Sequence, residues 1–333
     1  MMGIDIFLVC FIFSLIATVI ITAKLIPLLS SKKYGQKILE DGPKWHKPKE
    51  GTPTMGGIAF LIAAVLSFSI FLLLFGNRID TRELLGILNA ITYASLNFLI
   101  GLIDDIAKVK KSENKGLSAK TKFIFQAIVA FLFLFSLHYT VELTTELYIP
   151  FLDKTFDIGV LFYALAFLVL CGGVNSVNLT DGIDGLASSV AFTVGLFFSL
   201  VGILIIESEV VTFLGSTILG ITLGFLFFNF YPAKIFMGDT GSLFLGGIIV
   251  ATGFITGNIL LTLLYGFVFV IEALSVIIQV AYFKLSRGKR LLKMAPLHHH
   301  FEKSGWSEVK VTSIFTMINV IFCAVALLGV KPL

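Results

Sequence analysis

The chain has 333 residues, of which 57% are hydrophobic and 14% charged, with a mean hydropathy of +0.97; that balance excludes a water-soluble enzyme and a disordered chain. Phenylalanine alone contributes 34 residues. The formal net charge of +4 says little as a total, because in a membrane protein its distribution between loops sets orientation.

Apolar runs long enough to cross about 30 Å of hydrocarbon as helix recur down the chain. They predict ten spans, near residues 4–29, 54–75, 84–103, 121–138, 159–177, 187–206, 210–230, 240–257, 258–285 and 311–330. The expected fold is therefore an all-α polytopic membrane protein, one domain over residues 1–333. The first run lacks the basic start of a cleavable leader and is too long for one, so it is expected to stay as a span. Between spans four and five, residues 141–157 mix Val141, Leu143, Leu147 and Ile149 with polar neighbours and Pro150, a short hairpin signal. Gly220 and Gly224 form a GxxxG packing pattern in span seven. Span nine is 28 residues long and must tilt, bend near Gly266 or project from the bilayer. Its Glu272 and Gln279 predict interhelical hydrogen bonds. Cys10, Cys171 and Cys323 lie in apolar runs without paired spacing and read as buried hydrophobes.

Lysine and arginine divide sharply between the two sets of loops. With Lys24 set aside inside span one, loops after odd-numbered spans hold 20 and the opposite face holds 4, namely Arg78, Arg82, Lys154 and Lys331. The asymmetry places the basic loops in the cytoplasm, and both termini and the hairpin outside.

Five aspartates fall at the cytoplasmic ends of spans: Asp104 and Asp105, Asp181 and Asp184, and Asp239. Carboxylates so close to hydrocarbon are expensive without a cation or polar cavity, so the concentration on one face predicts a functional site. Helix capping is the competing explanation for Asp184 and Asp239, which precede apolar helices. In the segment Asn175–Gly185 two Asn and two Asp recur at three-residue spacing, which on a helical path stacks them along one face. Carboxylates with amide oxygens are hard ligands suited to Mg²⁺, which combines one or two protein carboxylates with substrate phosphates. The turn Phe236–Ser242 opens a helix whose free N–H groups suit phosphate, with Phe236 able to stack on a base. His298, His299 and His300 can put one or two rings toward that phosphate. Adjacent Asp104 and Asp105 point about 100° apart on a helix and are expected to have separate tasks, with replacement of either costing turnover far more than folding.

Together, Thr52-Pro53-Thr54-Met55-Gly56-Gly57, the Gly101–Asp105 run, Lys115–Lys120, Asn175–Ala187, Tyr231–Ser242 and Ala295–Glu302 resemble the phospho-N-acetylmuramoyl-pentapeptide transferases, a family of polyprenyl-phosphate N-acetylhexosamine-1-phosphate transferases. The resemblance covers essentially the whole chain in order. It implies a ten-helix, Mg²⁺-dependent enzyme of the bacterial inner membrane, usually a homodimer, with its site on the cytoplasmic face. Such an enzyme transfers phospho-N-acetylmuramoyl-pentapeptide from UDP-MurNAc-pentapeptide to undecaprenyl phosphate, giving lipid I and UMP for peptidoglycan. By motif match it implies Asp239 as metal ligand, Asp104 and Asp105 as the essential pair, and His298 with His299 beside the phosphate. Asn178, Asp181, Asp184, Asn229 and Phe236 match the uridine-binding set. Gly182 and Thr52 fall among substrate-binding positions, and Lys49 and Lys120 match basic contacts. Ile106 stands where many relatives carry an aromatic residue, and Glu50 where a basic or small one is frequent.

Two other functions fit parts of the pattern. A GlcNAc-1-phosphate transferase would differ in nucleotide-sugar preference. A cation-coupled transporter would spread polar groups through the bilayer midplane rather than gather them at one surface. No nucleic-acid partner is expected. For the transferase, both direct attack by the lipid phosphate and a two-step route through an aspartyl phosphate are chemically allowed.

Overall fold

The computed structural model describes residues 3–32, 49–111 and 116–331; Lys33, Lys37, Lys44, Lys47 and Lys115 of the basic loops lie outside them. Among the described residues, ten helices are long and apolar enough to cross a membrane. They are α1 (Ile4–Ser31), α2 (Ile58–Phe75), α3 (Thr81–Lys111), α4 (Ala119–Thr140), α5 (Val160–Thr180), α6 (Leu186–Leu200, prolonged by a wider turn to Ile205), α7 (Glu209–Asn229), α8 (Gly238–Ile255), α10 (Phe267–Leu285) and α12 (Glu308–Leu327). The short helices α9 (Thr262–Tyr265) and α11 (Leu297–Glu302) complete the set.

Helices α7 and α8 form the centre. In each, 83% of the apolar stretch is buried, against 22% to 67% in the other eight. Helix α3 lies along α8, and α1 and α6 lie along α7. The GxxxG pattern sets one of these approaches: a methyl group on Gly220 would sit 2.0 Å from Ser14 Oγ, and one on Gly224 2.8 Å from the Leu15 carbonyl oxygen. The three cysteines are buried and unbonded, as their apolar settings predict.

The ninth predicted span is not one helix. Gly257 turns in the left-handed region (φ 67°), Ile259–Leu261 makes a tight turn, α9 adds one more, and the axis breaks at Gly266 before α10 begins. Freed backbone groups inside a membrane need partners, and buried Asn319 of α12 supplies them. Its amide donates to the Tyr265 carbonyl (3.0 Å), and its Oδ1 accepts from Val268 N (3.2 Å). Periodicity cannot reveal a side chain that arrives from another helix.

The hairpin forms where expected, as β1 (Glu146–Ile149) paired antiparallel with β2 (Lys154–Asp157), with Glu146 opposite Asp157 and Ile149 opposite Lys154. The minority of basic residues gathers at this end. Arg78 pairs with Asp5 (2.7 Å), Arg82 with Glu142 (3.5 Å), and Lys331 Nζ reaches Thr155 Oγ1 (3.4 Å). Both ends of the described chain therefore share the hairpin's end of the bundle.

Candidate active site

At the opposite end, α3, α4, α5 and α8 bring side chains together from distant parts of the chain. Asp105, 3% exposed, accepts from Thr240 Oγ1 (2.6 Å), Thr240 N (2.9 Å) and Asp239 N (3.2 Å). These amides belong to the first turn of α8, where a helix leaves N–H groups without internal partners. No side chain adjoining α8 caps it, so Asp105 does so from a neighbouring helix. Glycines permit that closeness: a methyl on Gly101 would lie 2.2 Å from the Asp239 carbonyl oxygen, and one on Gly57 2.1 Å from Gly241 N.

The α8 N-terminus consequently differs from the sequence expectation of free amides for phosphate. Asp239 N and Thr240 N are taken by Asp105, and Gly241 N donates to the Met237 carbonyl (3.1 Å). Nor do Asp184 and Asp239 act as caps, since the N-cap positions of α6 and α8 are Gly185 and Met237, and neither makes a side-chain cap bond.

Asp104 keeps different company. Also 3% exposed, it accepts from Leu117 N (2.6 Å) and pairs with Lys108 (2.6 Å). Gly116 leaves room, because a methyl there would fall 2.4 Å from Asp104 Oδ1. Asp239 accepts from Asn178 Nδ2 (2.9 Å) and pairs with Lys122 (2.7 Å) and Lys108 (3.0 Å). Lys108 also lies 3.6 Å from Asp105. One oxygen from each of Asp104, Asp105 and Asp239 falls within 4.8 Å of the other two. Three carboxylates against two ammonium groups leave a net negative charge, and a hard divalent cation such as Mg²⁺ suits this donor set.

Asp181 follows α5 beside this cluster. Burial, together with the charges of Asp239, Asp105 and Asp184, pushes its carboxyl well above the usual carboxylate range, and Lys108 offsets part of this. Asp184 belongs to a second cluster. Its Oδ1 pairs with Lys49 (2.6 Å), its Oδ2 accepts from Ala233 N (2.9 Å), and Lys49 also pairs with Glu308 (2.5 Å). The Asn175–Asp184 residues therefore do not line one face, because α5 ends at Thr180 and the chain turns at Gly182 and at Gly185 (φ 74°).

Other predicted residues take varied places. Asn229 is buried and engaged, donating to the Ile235 carbonyl (3.0 Å) and accepting from Ser188 Oγ (2.9 Å). Phe236 is half-buried, and its backbone bonds Pro53 and Gly56. Thr52 is half-buried, its amide donating to the Lys49 carbonyl (3.1 Å). Lys120 is exposed, and Lys122 on the same helix reaches the carboxylates. His298 is fully buried against Glu272, and His299 Nδ1 lies 2.7 Å from Glu302. Lys108, Lys122, Thr240 and Glu308 are what sequence reasoning missed. Only Lys108 carried a local signal, standing three and four residues beyond the aspartate pair, on their helical face.

Comparison with known proteins bears on what this arrangement serves. The model of glycosyl transferase family 4 matches residues 84–258, and phospho-N-acetylmuramoyl-pentapeptide-transferase signature 1 matches residues 49–61. A phospho-N-acetylmuramoyl-pentapeptide-transferase of Clostridium acetobutylicum is 43% identical over 98% of this chain and 99% of its own. The chain belongs to the phospho-N-acetylmuramoyl-pentapeptide-transferase family. Relatives of the same name from Clostridium novyi (42% identical, covering 97% of this chain and 95% of theirs) and Acetivibrio thermocellus (44%, covering 96% and 94%) agree along nearly the whole length. The family's glycosyl transferase segment contains Asp104, Asp105, Lys108, Lys122, Asn178 and Asp239, and its signature contains Lys49 and Thr52.

Proposed function

We propose that this protein transfers phospho-N-acetylmuramoyl-pentapeptide from UDP-MurNAc-pentapeptide to undecaprenyl phosphate, releasing UMP and forming lipid I for the bacterial cell wall. The observation that carries the proposal is the meeting of Asp104 and Asp105 of α3 with Asp239 of α8, beside Lys108 and Lys122. The reaction exchanges one phosphoric anhydride for another, so its demands are alignment and charge neutralisation. An oxygen of the lipid phosphate attacks the phosphorus bonded to the sugar, and the bond from that phosphorus to UMP breaks.

Asp104 orients the attacking phosphate and accepts its proton, because Asp105 is committed to three donors of α8. Mg²⁺, held by Asp239 with the aspartate pair, would neutralise charge on the diphosphate. Lys122 and Asn178 orient Asp239, and Lys108 balances the three carboxylates. Asn178, Asp181, Gly182, Asp184, Asn229 and Phe236 frame the uridine side, with Lys49, Thr52 and Lys120 as outer contacts and His298 and His299 at the phosphate. The site faces the cytoplasm in the inner membrane, and the working form is a homodimer. Gathering of the carboxylates at one end of the bundle favours a transferase over a transporter.

The test uses purified protein with labelled UDP-MurNAc-pentapeptide and undecaprenyl phosphate, with and without Mg²⁺. Metal-dependent UMP release coupled to labelled lipid is expected. Preference for UDP-GlcNAc, or no lipid product, would overturn the proposal.

A further inference from the structure

His298 of α11 sits in contact with α10. Its backbone N–H donates to Glu272 Oε1 (3.1 Å), and its Nδ1 lies 3.1 Å from Glu272 Oε2. Both residues are 0% exposed. A carboxylate can only accept, so Nδ1 carries the proton. Nε2 has no hydrogen-bond partner and is one of four such buried side-chain atoms among the described residues. Leaving a buried polar atom unsatisfied is destabilising, a penalty that a pair serving only to join two helices has no reason to carry.

Gly182 lies directly against Nε2, since a methyl group there would fall 2.2 Å from that nitrogen. Glycine is not demanded there by the backbone, since Gly182 does not adopt a positive φ. Nor can the ring move aside easily, because Glu272 holds it at two atoms.

We infer that Glu272 is a positioning residue, fixing the His298 ring through Nδ1 so that Nε2, the ring nitrogen left without a partner, is the atom offered to substrate phosphate. The inference rests on the transferase function proposed above. With Nδ1 held by Glu272, Nε2 is the one ring nitrogen left to bond a phosphate oxygen. Other titratable groups around the ring are His299, whose ring centroid is 4.2 Å away, and Asp181, the chain neighbour of Gly182.

The experiment compares wild type, Glu272→Gln, Glu272→Asp and Gly182→Ala. Glu272→Gln, which takes one carboxylate oxygen from the His298 ring, should cut kcat about 10- to 100-fold with KM little changed. Glu272→Asp, the conservative variant, should recover most of that loss. Gly182→Ala, whose methyl group would meet Nε2, should lose turnover. Wild-type turnover in Glu272→Gln or in Gly182→Ala, or a Glu272→Asp variant no better than Glu272→Gln, would overturn the inference. If wild type fails to use the proposed substrates, ¹⁵N-histidine NMR decides instead. A His298 ring protonated at Nδ1 in wild type and mixed in Glu272→Gln supports the inference, and identical spectra refute it.

Discussion

Asp104 and Asp105 are neighbours in sequence, yet the atoms around them assign opposite duties. Asp105 joins α3 to α8 through three donors, whereas Asp104 meets one backbone amide and one lysine. Replacing Asp105 with Asn would turn an NH₂ group toward amides that need an acceptor. We expect that variant to lose about 1–3 kcal/mol of stability, seen as earlier thermal unfolding in detergent. Asp104→Asn should unfold where wild type does, while both lose turnover by more than about 100-fold. Equal unfolding temperatures would remove Asp105 from its capping role. For Asp105 the expected loss of stability departs from the sequence expectation that either replacement would cost turnover far more than folding. That the pair would diverge was legible from helical geometry; which carboxylate would cap α8 was not, because spacing gives direction and not partners. Lys122 was hidden for the same reason, being one lysine among several in a basic loop until α4 is placed beside α8.

At the scale of elements, the active site depends on how closely α3, α2 and α8 can approach. Gly101 and Gly57 remove the side chains that would hold them apart. Gly101→Ala should force the first turn of α8 outward, separate Asp105 from Thr240 and Asp239, and cost about 1–3 kcal/mol as an overpacked contact, with loss of turnover. Gly86 on the same helix faces open space, with no atom within 4 Å of where a methyl group would stand, so Gly86→Ala should leave unfolding and turnover unharmed. Parallel behaviour of the two variants in thermal unfolding and assay would contradict this account. Spans and hairpin were readable from hydropathy and turn residues, because lipid-facing and buried helices both need apolar sequence. A bend near Gly266 was readable too, from the excess length of the ninth span; the tight turn and α9 that interrupt it were not, because the Asn319 contacts that sustain the interruption lie elsewhere in the chain.

Across the whole molecule, the division of basic residues agrees with the fold's two ends. Lys49, Lys108 and Lys122 belong to the carboxylate end, and Arg78, Arg82 and Lys331 to the hairpin end. Single cysteines placed at Lys154 and at Lys289 should report sidedness directly, since the native cysteines are buried. In intact cells a membrane-impermeant maleimide should label the first and spare the second; the reverse pattern would invert the orientation. The division of charge between the two ends was legible because charge bias is a property of composition, while the central position of α7 and α8 was not, because they are no more apolar than the helices around them. Their enclosure has a mechanical meaning. Thickening, thinning or a change of lipid headgroup presses first on the outer helices, which can lean and slide, while α8 and the carboxylate it carries ride inside a sheath of protein, insulated from the weather of the bilayer.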